Sequence, residues 1–298
     1  QTRNNKYLFA DEAYNKTYDS ENAFDKTYGA HREKLELDVA WLPILKDECL
    51  KHGVDFMSTP FDEPSLELLH EVGVDLIKVA SFDLGNLPFI KKIAETKKPI
   101  VMSIGGGKID QIRSSVNEIL KIHNDIALLH CVSEYPCEFN RLGLGNIKEL
   151  LKEFPQCTIG SSDHFNGTLS GPVAFMEGAR VFEKHVTLNR AWRGTDHSFA
   201  LEPEGFRKFN RDIKRVPHML PSKPKDDLGN EYVFQKLGKS LVSLEDIKPG
   251  DIISIEKLSG KIFNDQYLPV RDSNLIIGKR AKNYISSGEP IHLSDIDL

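Results

Sequence analysis

Residues 160–186 read GSSDHFNGTLSGPVAFMEGARVFEKHV. Two short runs, IGSSDH (159–164) and RVFEKH (180–185), each end in a histidine. Between them lies a small-residue-rich stretch that reads as one helix. A strand, a helix and a second strand in that order form a parallel unit, so the two imidazoles fall at the same end of adjacent strands.

The same alternation extends outward. Upstream, helix-like REKLELDVAWLPILKDECLKHG leads into VDFMSTP, and EPSLELLHEVG into VDLIKVAS. LPFIKKIAETK then precedes KPIVMSIGGG, IDQIRSSVNEILKIH precedes DIALLHCVSEYP, and NIKELLKEFP precedes QCTIGSSD. The helical runs carry apolar residues at three- and four-residue spacing. The strand runs are short and continuously apolar, as parallel strands covered on both faces require. Six strands are predicted, near 55–59, 76–81, 99–104, 127–132, 157–162 and 180–186, followed by an irregular loop and a helix over 202–213. This is a parallel α/β fold. A closed (β/α)8 TIM barrel needs eight strands. Residues 1–33 are loop-like, so the expectation is a barrel whose first strand and most of whose second are missing from the given chain. The barrel is expected over residues 1–215 and a Pro- and charge-rich linker over 216–235. A small β-rich domain over 236–298 has KPGD and SSGEP as its turns.

Composition excludes several classes. The net charge is -5 and apolar content 40%, which supports a sizeable core and argues against nucleic-acid or membrane-surface partners. No apolar run of about 18 residues is present, so no membrane span is expected. Cys49, Cys131, Cys137 and Cys157 have no zinc-like spacing and read as buried thiols of a cytoplasmic protein.

In a barrel, side chains at the C-terminal strand ends converge on one mouth. His164 and His185 there can approach one ion, and imidazole suits Mn²⁺, Zn²⁺ or Fe²⁺. Two protein ligands leave positions for substrate oxygens. Thr59, Ser81, Ser103 and Ser162 can donate to a phosphate together with backbone amides. SIGGGK (103–108) lacks the Walker spacing, and its glycines read as a tight turn beside an anion. Lys78 and Lys184 either neutralise that anion or form ion pairs. Asp83, Glu134 and Asp196 are candidates for proton transfer or for binding sugar hydroxyls.

The motifs STPFD, KVAS, LHCVSEYP, GSSDH, FEKHVTL and GTDHSFALEP, in that order, resemble the sialic acid synthase family. KLGKSLVSLEDIKPGD resembles the opening of that family's SAF, or antifreeze-like, domain. The resemblance implies condensation of phosphoenolpyruvate with an N-acetylmannosamine-like hexosamine or its 6-phosphate, releasing phosphate. A legionaminic or pseudaminic acid synthase, or a non-catalytic carbohydrate-binding relative, is the alternative. It implies His164 and His185 as ligands of a divalent metal, Mn²⁺ first, with Mg²⁺ or Co²⁺ as substitutes. Thr59, Ser81, Ser103, Ser162, Gln1 and Ser133 become phosphoenolpyruvate contacts. Tyr135 and Asp196 become sugar-side residues, Asp83 stands where some members have Glu, and Lys78 and Lys184 complete the expected catalytic set. A domain-swapped homodimer is implied. SGKIFND (259–265) lacks the arginine that bacterial members carry in their SAF domain, and Arg271 is no clear substitute.

Overall fold

The computed structural model describes all 298 residues. They divide into two units, Gln1–Leu220 and Pro221–Leu298.

In the first unit a six-stranded sheet runs in sequence order: β1 (Met57–Ser58), β2 (Leu76–Val79), β3 (Ile100–Ser103), β4 (Ile126–Cys131), β5 (Thr158–Asp163) and β6 (Val181–Lys184). Every neighbouring pair is parallel. The sheet curls into a half-barrel. At one edge Thr2 bridges Pro60 in parallel, and at the other Leu201 bridges Val186. Short helices α1 (Asn5–Leu8), α2 (Asp11–Tyr14) and α3 (Tyr28–Glu33) occupy the segment expected to be loop-like. Side-chain caps from Asn4 and Thr27 hold α1 and α3, a local signal too short to give periodicity. The longer helices are α4 (Trp41–Lys51), α5 (Glu63–Val72), α6 (Leu87–Glu95), α7 (Ile109–Leu120), α8 (Asn146–Glu153), α9 (Ser170–Glu177) and α10 (Pro203–Met219). The start of α5 follows from Asp62, whose carboxylate accepts from the Ser65 amide at 2.8 Å, and its end from Gly73 at φ 72°.

Period-two alternation assigns each strand residue to a face. Ile77, Val79, Ile100, Met102, Leu128 and Ile159 face the helices and pack with Leu69, Ile90, Ile93, Ile119 and Ile147. The opposite residues Val101, Ala127 and Leu129, with Leu76 and Val181, form a second apolar layer inside the curl. One step further along the same face come Lys78, Ser103, Cys131, Ser162 and Glu183, so a polar layer lies directly above the inner apolar one.

α10 continues to Met219, beyond the expected helix end and into the expected linker. Pro217 lies in its last turn, where one hydrogen bond is lost and the helix is already ending. The expected linker is also not structureless, since α11 (Tyr232–Leu237) forms within the second unit. That unit has two antiparallel pairs, β7 (Ser240–Ser243) with β8 (Leu258–Lys261) and β9 (Arg280–Ala281) with β10 (Ile296–Asp297). Leu241, Ile247, Ile253, Ile276, Ile285 and Ile291 form its own core. Gly250 and Gly288, at φ 89° and 83°, make the two turns that KPGD and SSGEP predict. Arg271 lies over the Phe234 ring at 5.2 Å. No helix is long and apolar enough to cross a membrane. All four cysteines are free thiols.

Candidate active site

The polar layer floors a cavity of about 1120 Å³ at the C-terminal ends of the strands. Gln1, Thr59, Lys78, Ser81, Asp83, Ser103, Tyr135, Ser162, Lys184, His164, His185 and Asp196 all border it. Ser133 and Glu134 do not. Ser133 lies beside Gly105, where an added Cβ would stand 2.4 Å from its hydroxyl and 3.0 Å from Ser81 Oγ. Glu134 is paired with Arg141.

The hydroxyl side is tightly wired. Lys78, 5% exposed, donates to Ser103 Oγ at 2.8 Å and lies 3.5 Å from Glu183 Oε2. Ser162 Oγ donates to Glu183 Oε1 at 2.7 Å. The Gly105 amide donates to Ser81 Oγ at 2.9 Å. Burial lowers the Lys78 ammonium below its ordinary range, and the Glu183 carboxylate opposes that shift. The site therefore offers three hydroxyls, one amide-bearing glycine turn and one lysine within a single polar layer.

Glu183 escaped the sequence reading, although the signal was there. Val181, Glu183 and His185 alternate along β6, so a histidine aimed at the mouth implies a glutamate aimed there too. The same parity governs Lys184. It lies on the other face of β6, opposite Asp163 in register, and its ammonium meets that carboxylate at 2.5 Å with both side chains buried. The Phe165 carbonyl also accepts from it. Of the two readings open for Lys184, the structure gives the ion pair. The pair joins the ends of β5 and β6, and Lys184 also borders the cavity.

On the imidazole side the ring centroids of His164 and His185 stand 5.2 Å apart. His164 Nδ1 lies 2.8 Å from the Val132 carbonyl, so that nitrogen carries the proton and Nε2 keeps its lone pair. Burial pulls the His164 imidazole down, but the Cys131 thiol and the Val132 carbonyl outweigh it and leave the ring above its usual value. Burial lowers His185, against the pull of Asp196, whose carboxylate lies 3.9 Å from its Nδ1. The Tyr135 ring packs on His164 at 4.0 Å, and burial pushes its hydroxyl up to about 12, so it stays protonated and able to donate. No group of three or more His, Cys, Asp or Glu side chains gathers here to enclose an ion. The donor set is two neighbouring imidazoles, one with its tautomer fixed by a backbone carbonyl. That set fits an open catalytic metal position and does not fit a closed structural one.

A third wall was not anticipated. Arg3 and Arg32 border the cavity and share the Glu36 carboxylate, at 3.1 and 3.9 Å. Arg3 also lies over the Phe61 ring at 4.0 Å and donates to the Gln1 side chain. The loop bearing Asp196 is tied to residues 21–23 through Arg193, which donates to the Glu21 carbonyl at 2.9 Å, and through the Gly194 amide on Asn22 Oδ1 at 3.0 Å.

Comparison with known proteins agrees with this architecture. The family model described as NeuB family matches residues 1–225, and that of the SAF domain matches residues 238–297. The human N-acetylneuraminate-9-phosphate synthase is 32% identical over 275 residues, covering 92% of this chain and 77% of the relative. The N,N'-diacetyllegionaminic acid synthase of Campylobacter jejuni is 35% identical over 233 residues, covering 77% and 70%. Among solved structures, the N-acetylneuraminic acid (sialic acid) synthetase of Leptospira borgpetersenii superposes with a TM-score of 0.64 at 28% identity, covering 70% of this chain and 74% of that one. The spore coat polysaccharide biosynthesis protein spsE of Bacillus subtilis superposes with a TM-score of 0.62 at 27% identity, covering 97% and 85%. With its fold, its order of strand-end residues and both family matches in agreement, this chain belongs to the NeuB family and carries a SAF domain after its barrel.

Proposed function

We propose that this protein is a nonulosonic acid synthase of the sialic acid type, condensing phosphoenolpyruvate with an N-acetylmannosamine-like hexosamine. The observation that carries this reading is one cavity that sets a hydroxyl-lysine cluster beside a pair of imidazoles. The relatives named above, synthases of N-acetylneuraminate 9-phosphate and of diacetyllegionaminic acid, support it.

Ser81, Ser103, Ser162, Thr59 and the Gly105 turn bind the phosphate of phosphoenolpyruvate, with Gln1 as a further contact and Ser133 supporting the Gly105 turn from behind the cavity wall. An arriving phosphate competes with Glu183 for the Lys78 ammonium, which gives that anion a charged partner. His164 and His185 would hold the divalent ion, Mn²⁺ first. When bound, it supplies polarisation of the sugar's open-chain aldehyde. Tyr135 and Asp196 orient the sugar's hydroxyl and amide groups, and Asp83 reads a further hydroxyl. In the bond-forming step C3 of phosphoenolpyruvate attacks the aldehyde carbon, and the former carbonyl oxygen takes up a proton. Water adds at C2, inorganic phosphate leaves, and a keto acid longer by three carbons remains. Holding the two reactants in attack geometry contributes on the order of 7–11 kcal/mol to lowering the barrier. We assign the assembly as a domain-swapped homodimer and the compartment as the cytoplasm, where four free thiols stay reduced.

The test is phosphate release from phosphoenolpyruvate with Mn²⁺ and a panel of hexosamines, the product read by mass. Release that requires both substrates, with a product larger than the sugar by pyruvate, supports the reading. Binding of sugar without release in the presence of metal overturns it in favour of a carbohydrate-binding relative.

A further inference from the structure

Two guanidinium groups share one carboxylate on the wall of the cavity. Glu36 accepts from Arg3 at 3.1 Å and lies 3.9 Å from Arg32, and all three side chains are largely buried, at 12%, 23% and 15% exposure. One carboxylate neutralises one cation, so a unit of positive charge is left over. Burial lowers Arg3 from its ordinary range, and the neighbouring Arg32 lowers it further. The Arg32 Nε is buried without a hydrogen-bond partner. A buried cation in surplus and an unpaired guanidinium donor are both costly unless an anion arrives to take them up. By contrast, the lysine of the hydroxyl cluster already has Glu183, so the uncompensated charge lies with the arginines.

We propose that Arg3 and Arg32 receive the terminal phosphate of a phosphorylated hexosamine. This rests on the synthase reading above and names its substrate class. Two dianions brought into one cavity repel each other, so each needs its own positive partner. The hydroxyl cluster is built from the ends of β2, β3 and β5, and the arginines from α3 and the segment before α1. The planar fork of arginine matches phosphate oxygens in two-point contact, which a sugar hydroxyl cannot exploit.

The experiment compares N-acetylmannosamine 6-phosphate with N-acetylmannosamine, each with saturating phosphoenolpyruvate, in the wild type, Arg3→Met, Arg32→Met and Arg32→Lys. The wild type is expected to prefer the phosphorylated sugar by about 100-fold or more in kcat/KM, the worth of two charge-assisted hydrogen bonds. Either Met variant lowers that preference at least about tenfold through the KM of the phosphorylated sugar, and Arg32→Lys restores part of it. Equal use of the two sugars by the wild type overturns the proposal. So does a rise in the KM for phosphoenolpyruvate in both Met variants, which would make the arginines its binding site instead. If neither sugar supports phosphate release, the synthase reading fails. Calorimetric titration of the wild type with the two sugars then decides the arginine site by itself: binding of the phosphorylated sugar alone supports it, and equal or absent binding overturns it. Should the Met variants not fold, competition of mannose 6-phosphate and of mannose against the sugar in the wild type gives the same discrimination.

Discussion

At the scale of single residues, the imidazole pair and Gly105 carry the sharpest expectations. His164→Ala and His185→Ala each remove half of the proposed metal donor set, and phosphate release should fall by more than about 100-fold. The check is steady-state kinetics with Mn²⁺, and near-normal rates in both variants would refute the metal role. Gly105→Ala should act differently. Its Cβ would stand 2.4 Å from Ser133 Oγ and 3.0 Å from both Cys131 Sγ and Ser81 Oγ, so the methyl group presses into the phosphate cluster. Its KM for phosphoenolpyruvate should rise about tenfold or more, the loss of one charge-assisted contact, while the melting temperature moves little. The thiols offer a test without substrates. Burial pushes Cys157 up to about 11, and the thiolate is the reactive form. In iodoacetamide labelling at pH 8, half-buried Cys49 should label first and Cys157 should remain unmodified until the protein is unfolded, with peptide mass mapping as the readout.

At the scale of elements, the strand faces hold both the fold and the site. Gly160 points into the curl, and a Cβ there would lie 2.3 Å from the Val181 carbonyl and 2.5 Å from a Leu129 methyl. Both neighbours are fixed by sheet pairing, so Gly160→Ala should destabilise the first unit by about 2–3 kcal/mol, measurable by urea unfolding. Much of this layer was readable beforehand. Continuous apolar runs revealed six parallel strands, and their last residues named most of the cavity wall. What stayed hidden has physical causes. Glu183 and Lys184 are adjacent and both charged, and composition cannot tell which joins the polar layer with Lys78 and which pairs with Asp163. Only the alternation anchored on His185 separates them. Arg3 and Arg32 lie in a segment whose helices are held by caps and not by an apolar stripe, so no periodic pattern aims their side chains. Arg32 meets Glu36 at i,i+4 spacing, but Arg3 reaches the same carboxylate across 33 residues, beyond what local spacing shows.

At the scale of the whole molecule, two separate cores predict two separable stabilities. A fragment of residues 221–298, with its own buried cluster, should melt cooperatively when produced alone, as followed by circular dichroism. A ligand that binds only the folded first unit should shift only that unit's transition. At a concentration 100 times its dissociation constant, Mn²⁺ should add about 2.7 kcal/mol to it, seen by differential scanning calorimetry in the absence of substrate. Equal shifts in both units, or none, would contradict placement of the metal on His164 and His185.

The alternation along β6 also bears on how such a protein can change over time. Glu183 and His185 lie on the strand face that carries the polar layer while Lys184, one position between them, pairs with Asp163 on the other face. Inserting or deleting one residue in that strand would swap the two sets at a stroke, turning the glutamate and the histidine toward the helices and breaking the Lys184–Asp163 pair. Inheritable variation in substrate range is thereby channelled away from the strands and into the segments beyond their ends, such as Phe82–Asp83 and Thr195–Asp196, where length and composition can drift without disturbing the frame.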